Sequence, residues 1–148
     1  MINSILDFLN ARQDIIEYRI GGGVEDVHIE NAESSIGTAF PESYKRFLRE
    51  VGWLEINNIY FFGVRKDSVD EGEGNVVVMA KYSRDTWELP NHLIPVYSAD
   101  DQVLWCIDSS ITGKEPPIVS YETKKKKVTT KVAPDYWTCL SDYLESEK

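Results

Sequence analysis

Four side chains in this 148-residue chain have the chemistry to ligate a transition metal: His28, His92, Cys106 and Cys139. Local metal sites use spacings such as C-x-x-C or H-x-x-x-H, and none of these four is spaced that way. The densest oxygen donors are Asp67, Asp70, Glu71 and Glu73, with Gly72 and Gly74 between them. On an EF-hand frame starting at Asp67, Gly72 and Glu71 fit, but Val69 and Val78 stand where oxygen is needed. The segment therefore reads as a solvated acidic loop without a metal, with a looser divalent-cation site as the alternative. Gly72-Glu73-Gly74 opens like a phosphate-cradling turn, but Glu73 inside it would repel phosphate and no strand directly precedes it.

Nucleophilic chemistry fares no better. There is no G-x-S-x-G elbow. Cys106 stands among Leu104, Trp105 and Ile107, where a thiol ionises with difficulty. Paired carboxylates such as Asp100-Asp101 fall in an expected turn, which accounts for them without catalysis. The reading is a non-enzymatic chain without a cofactor. The enzyme alternative requires a pocket joining His92 to a carboxylate or to Cys106.

Lys124 to Lys127, with Lys131, form the one strong basic anomaly. They read as a solvated hairpin tip that discourages strand edges from pairing. The chain as a whole carries a formal charge of −9 and a pI near 4.7. Nucleic acid and anionic membranes are repelled by such a field, whereas a basic protein is attracted. With 42% hydrophobic and 28% charged residues, the composition is that of one globular domain with a real core. Cys106 and Cys139 fit reduced core positions, with a disulfide as the alternative. No basic leader or apolar span is evident, so a cytoplasmic protein is expected.

The elements that would position these residues are legible from periodicity. Ile2, Ile5, Leu6, Leu9 and Ile16 suggest a first helix within residues 2–16. Gly21-Gly22-Gly23 reads as a flexible turn. A second helix starts near Asp26 as its cap, carries Ile29, Ala32 and Ile36, and ends at Gly37. Pro41 suits the first position of a third helix, with Tyr44, Phe47, Leu48 and Val51 on one face and Gly52 at its end. Residues 59–64 read as a buried strand. Residues 75–87 read as a fourth helix, with a strand as the alternative because Val76-Val77-Val78 disfavours helix. Strands follow at 94–97, 103–107, 117–121 and 128–132, and a last helix begins at Pro134. The expectation is α+β, a single domain with an antiparallel or mixed sheet packed against helices. Its helical part spans about 1–52, its sheet part about 57–132 and its C-terminal helix about 134–145.

Within this frame, Ile29, Glu33, Ile36, Gly37, Phe40, Pro41, Tyr44, Phe47, Leu48 and Gly52 form one signature. It resembles that of the SUKH superfamily: a helix closed by glycine, then (L/F)-P-x-x-Y-x-x-F-L and a further glycine. The strand 59–64, the Leu89-Pro90-x-His92-Leu93-Ile94-Pro95-Val96 segment, Leu104-Trp105-Cys106-Ile107-Asp108 and the closing helix are similar to the family's remaining segments, in order. The resemblance implies an α+β domain without a cofactor. Bacterial members are mostly immunity proteins that block a toxin, commonly a nuclease; fungal members regulate cell-wall synthesis as interaction hubs. It implies here a cognate protein toxin as partner, a basic one, with a general interaction module as the alternative. Glu33, Gly37, Pro41, Tyr44, Phe47, Leu48 and Gly52 are motif positions with a structural role. The chain departs from the family in lacking glycines after Gly52 and in having Asp100-Asp101-Gln102 where a glycine turn is usual.

For partner contact, Trp53 and Glu55 lie just beyond a helix end, Asp67, Asp70, Glu71 and Glu73 concentrate negative charge, and Asp100 and Asp101 flank them from a turn. An exposed tryptophan beside acids is a good anchor. The competing expectation is that Trp53 belongs to the core and the acids serve solubility. The oligomeric state is open between monomer and homodimer.

Overall fold

A computed structural model describes residues 2–14 and 16–146. The described residues form five helices: α1 (Ile5–Asn10), α2 (Asp26–Ile36), α3 (Glu42–Glu50), α4 (Val76–Trp87) and α5 (Tyr136–Ser146). The strands are β1 (Tyr18–Ile20), β2 (Leu54–Ile56), β3 (Ile59–Phe61), β4 (Leu93–Ser98), β5 (Val103–Asp108), β6 (Ile118–Glu122) and β7 (Lys127–Ala133). All seven join one antiparallel sheet in chain order. The architecture is α+β in a single domain.

The α2–α3 segment forms for local reasons. Gly37 closes α2 at φ 81°, and its N–H donates to the Glu33 carbonyl at 2.8 Å. The Glu33 carboxylate then accepts the Phe40 N–H at 2.7 Å and ties the turn to α2. Two expectations shift by one residue. Asp26 is the first helical residue of α2 rather than its cap, and its carboxylate accepts from Arg49 at 3.0 Å. Pro41 is the cap of α3 rather than its first turn. Its ring fixes φ at −71°, while a ψ of 159° keeps it extended, so the helix starts at Glu42.

The apolar face of α3 is the centre of the core. Tyr44, Phe47, Leu48 and Val51 are completely buried. Tyr44 meets Phe40 and Tyr136 edge to face at 5.1 and 4.8 Å, so α3 is welded to α5 through aromatic rings. The Tyr44 hydroxyl donates to the Phe62 carbonyl at 2.7 Å, whereas the buried Tyr136 hydroxyl has no partner among the described residues. The two hydroxyls therefore respond oppositely to deletion. In urea unfolding, Tyr44→Phe should lose about 1–2 kcal/mol by orphaning a carbonyl, and Tyr136→Phe should be neutral or gain up to about 1 kcal/mol.

The middle of the sheet is buried on both faces. Leu104, Cys106, Val119 and Tyr121 alternate onto one face and join Leu89, Leu93 and the flank of Trp87. Ile107 and Ile118 alternate onto the other and join the main core, as does the half-buried Trp105. Cys106 and Cys139 are free thiols in these two separate clusters. Burial pushes both thiols up, Cys139 to about 12, so neither is poised to react.

Three boundaries differ from the expectation. α1 stops at Asn10, and the chain turns before Ile16, which is nonetheless buried. β3 ends at Phe61, although Phe62 still donates its N–H to Val96 at 2.9 Å. β1 and β2, three residues each, were not anticipated. Each is held by pairing with strands distant or adjacent in the chain, Tyr18 facing Ile56 and Leu54 facing Phe61.

Candidate functional site

The glycine run is not a flexible turn. Gly21 and Gly22 donate their N–H groups to Trp53 and Val51 carbonyls at 3.0 and 2.9 Å. A Cβ on Gly21 would stand 2.1 Å from the Trp53 indole nitrogen, and one on Gly23 would stand 2.0 Å from the Arg49 carbonyl oxygen. Gly21 and Gly23 let this segment lie directly against the indole and the end of α3, and Gly22 between them turns at φ +91°. Beyond α3, Gly52 takes φ +75° and turns the chain, so that Trp53 stands in the bend just before β2 begins at Leu54.

Trp53 is consequently clamped rather than either buried or free. It is half-buried, with Gly21 against the indole nitrogen and Gly74 so placed that a Cβ on it would stand 3.6 Å from the ring. The Tyr60 ring lies 5.8 Å off, tilted. The Arg19 and Arg65 guanidiniums stand 5.8 and 5.6 Å from the indole.

The charges around it come from sheet register. Arg19 on β1 faces Glu55 on β2, and Glu55 faces Tyr60 on β3, which makes one cross-strand row. Arg19 donates to the Glu55 carboxylate at 2.5 Å and to the Tyr60 hydroxyl at 3.2 Å. Tyr60 donates in turn to the Glu73 carboxylate at 2.7 Å. Partial burial and that bond to Glu73 push the Tyr60 phenol up to about 12. Arg65 grips Asp67 through two bonds of 3.0 and 3.1 Å and reaches the Glu73 carbonyl at 2.9 Å. This guanidinium holds Asp67 below its ordinary range.

The eight anticipated residues thus fall into three groups. Glu55, Asp67 and Glu73 join Trp53 in one cluster but are offset by Arg19 and Arg65. Asp70 and Glu71 are exposed on the same loop and have no cation within ion-pair reach among the described residues, so they supply its uncompensated charge. Asp100 and Asp101 do not enter the cluster. They form the β4–β5 turn, with Asp101 itself at φ 63° in the left-handed region that glycine usually fills. The Asp101 carbonyl accepts from Thr123 at 2.8 Å.

Asn75 holds the loop and was not anticipated. Its side-chain oxygen caps α4 by accepting the Val77 N–H at 2.9 Å. Its amide nitrogen donates to carbonyls of Glu71, Ser68 and Val69 at 3.0, 3.3 and 3.4 Å. An asparagine directly before an apolar run is the sequence signal for such a cap. Asn75→Ala should cost about 2 kcal/mol and speed amide exchange across 66–74. Asn75→Asp retains the cap but loses the loop bonds, so it should speed loop exchange with a smaller loss of stability. Arg19, Tyr60 and Arg65 were also missed.

A pocket of about 300 Å³ beside this patch is lined by Glu17, Tyr18, Arg19, Glu55, Asn57 and Asn58. A groove of about 590 Å³ opens elsewhere, between α3 and the start of α5. There Arg46 stacks over Trp137 at 3.7 Å and Ser43 donates to Glu115 at 2.5 Å. A serine bonded to a carboxylate, with no imidazole to take its proton, lacks the arrangement that activates a nucleophile. Among the described residues, no three His, Cys, Asp or Glu side chains group as metal ligands, and no helix is long and apolar enough to cross a membrane.

A rigid aromatic flanked by satisfied ion pairs and a charged loop is a surface suited to contact with another protein. No curated protein matches the chain. The family model described as SUKH_5, SMI1-KNR4 cell-wall, matches residues 2–145. With the match running almost from end to end, the chain belongs to the SMI1-KNR4 family of the SUKH superfamily, a family of immunity- and regulator-type domains.

Proposed function

We propose that the chain is an immunity protein that neutralises one cognate toxin by stoichiometric binding, and that the toxin is a basic protein, a nuclease. Trp53, held in place by Gly21, Gly74, Arg19 and Arg65, carries this reading. An anchor already fixed in its bound position loses little entropy on association, which favours tight binding to one partner over loose binding to many. Asp70 and Glu71, together with the −9 net charge, steer a positively charged partner toward the patch. A nuclease surface that grips phosphates has that positive charge.

The test is capture from a lysate of the source organism, supplemented with products of neighbouring genes, followed by calorimetry on each captured protein at two salt concentrations. One basic partner, bound one to one and more weakly at high salt, is the expected result. Several weak partners with no salt dependence would replace this reading with a general interaction module.

A further inference from the structure

The groove between α3 and the start of α5 takes no part in the site above. Its walls are mostly apolar and enclose about 590 Å³. Trp137 lines it but is only 4% exposed, and its indole N–H donates to the Ile2 carbonyl at 2.7 Å. The exposed Arg46 guanidinium covers that ring at 3.7 Å. Stacking and one hydrogen bond, to the Asn3 carbonyl, hold Arg46 there. Among the described residues it has no carboxylate within ion-pair reach. Glu50, Glu115 and Asp135 line the same groove, and none of them has a cation within reach either. Glu50 accepts from Ser4 and Leu6 at 2.8 and 3.0 Å, Glu115 accepts from Ser43, and Asp135 accepts the Thr138 N–H at 2.7 Å. Arg49, the groove's other cation, is engaged by Asp26 and Glu42 at 3.0 and 2.7 Å. Three carboxylates therefore face one guanidinium.

We propose that this groove docks an arginine from an exposed apolar segment of a basic partner protein, and that Arg46 fills that arginine's place in the free chain. Arg46 demonstrates the fit, because a guanidinium over this indole gains a cation–π contact. Its tether to α3 leaves the three carboxylates out of its reach. An arginine entering from solvent lacks that tether, and the unpaired carboxylates favour it. Arg46, once displaced, returns to water and gives up a single hydrogen bond to the chain, a small cost. The apolar walls receive the side chains that flank the incoming arginine. The excess of negative charge selects a basic segment over an acidic one. The groove is then a second point of contact for the basic partner proposed above, and it rests on that reading for the partner's identity alone.

The probe is the blocked tripeptide acetyl-Leu-Arg-Leu-amide, titrated into the full chain and followed by the Trp137 indole N–H signal in NMR. The same peptide with neutral citrulline in place of arginine is the control. The arginine peptide should shift the Trp137 signal to saturation, and the citrulline peptide should bind about fivefold more weakly. Two variants assign the charges. Arg46→Ala uncovers the ring and removes the resident cation, so the peptide should bind about threefold more tightly. Glu115→Gln with Asp135→Asn keeps acceptors for Ser43 and for the Thr138 N–H, so the fold should persist, which circular dichroism checks. That variant should bind the peptide about fivefold more weakly. Equal binding of the two peptides, or a shift confined to the Trp53 indole, would overturn the proposal. Weaker binding by Arg46→Ala than by wild type would overturn the role given to Arg46. Failure of this titration leaves the Trp53 surface and the immunity reading standing, and failure to capture a nuclease leaves the titration's result unchanged.

Discussion

Gly63→Ala should cost about 4 kcal/mol in chemical unfolding, although it adds one methyl group. Gly63 has no positive φ, so the constraint is space and not backbone conformation. A Cβ there would stand 1.6 Å from the Gly52 carbonyl oxygen and 3.0 Å from the Trp53 Cα. These are backbone atoms, and no rotamer change moves them. The backbone around Gly63 is also bonded tightly. Gly63 N–H donates to Gly74 at 2.8 Å, Val76 N–H to Gly63 at 2.8 Å and Val64 N–H to Gly52 at 3.0 Å. Room for the methyl group comes from breaking part of this ladder, which also carries the start of α4 and the base of the acidic loop. The expected result is a large drop in midpoint with altered tryptophan emission. A midpoint within about 0.5 kcal/mol of wild type would show that the close approach of Gly52 and Gly63 is not a feature of the folded protein.

Trp53→Ala should weaken binding of the cognate partner by about 2–4 kcal/mol, roughly 30- to 700-fold in Kd. The loss has two parts, the removed contact area and the removed anchor that Arg19 and Tyr60 brace. Gly21→Ala separates them. Its methyl group would overlap a side chain rather than backbone, so the indole can swing out while the fold persists. That variant should keep most of its stability and still lose affinity, because the ring is present but misplaced. By contrast, Asp70→Asn with Glu71→Gln should change the association rate and its salt dependence more than the dissociation rate. Equal affinity for wild type, Trp53→Ala and Gly21→Ala would place the interface elsewhere.

The α2–α3 signature was legible because it is local. Gly37, Tyr44, Phe47 and Leu48 perform the conformational and packing tasks that their spacing announces. α4 was legible with an alternative, and its cap, Asn75, resolves the ambiguity that three valines create. The site was only half legible. Trp53 and the acids stand out by type, but Arg19, Glu55 and Tyr60 meet only through the register of three short strands, two of which no local pattern marks. The glycine run was misread for the same reason. Three glycines in sequence suggest freedom, yet here each missing side chain leaves room for a particular neighbour, the Trp53 ring, the Lys66 amine or the Arg49 carbonyl. Charge counted along the chain also misled, because Arg19 and Arg65 neutralise three of the acids that seemed to make the patch acidic.

The most direct test of the immunity reading is a titration of the captured partner's nuclease activity with this protein. Activity should fall linearly and vanish at one equivalent, and the Trp53→Ala protein should need a large excess to achieve the same inhibition. Full nuclease activity in the presence of excess wild-type protein would contradict the account.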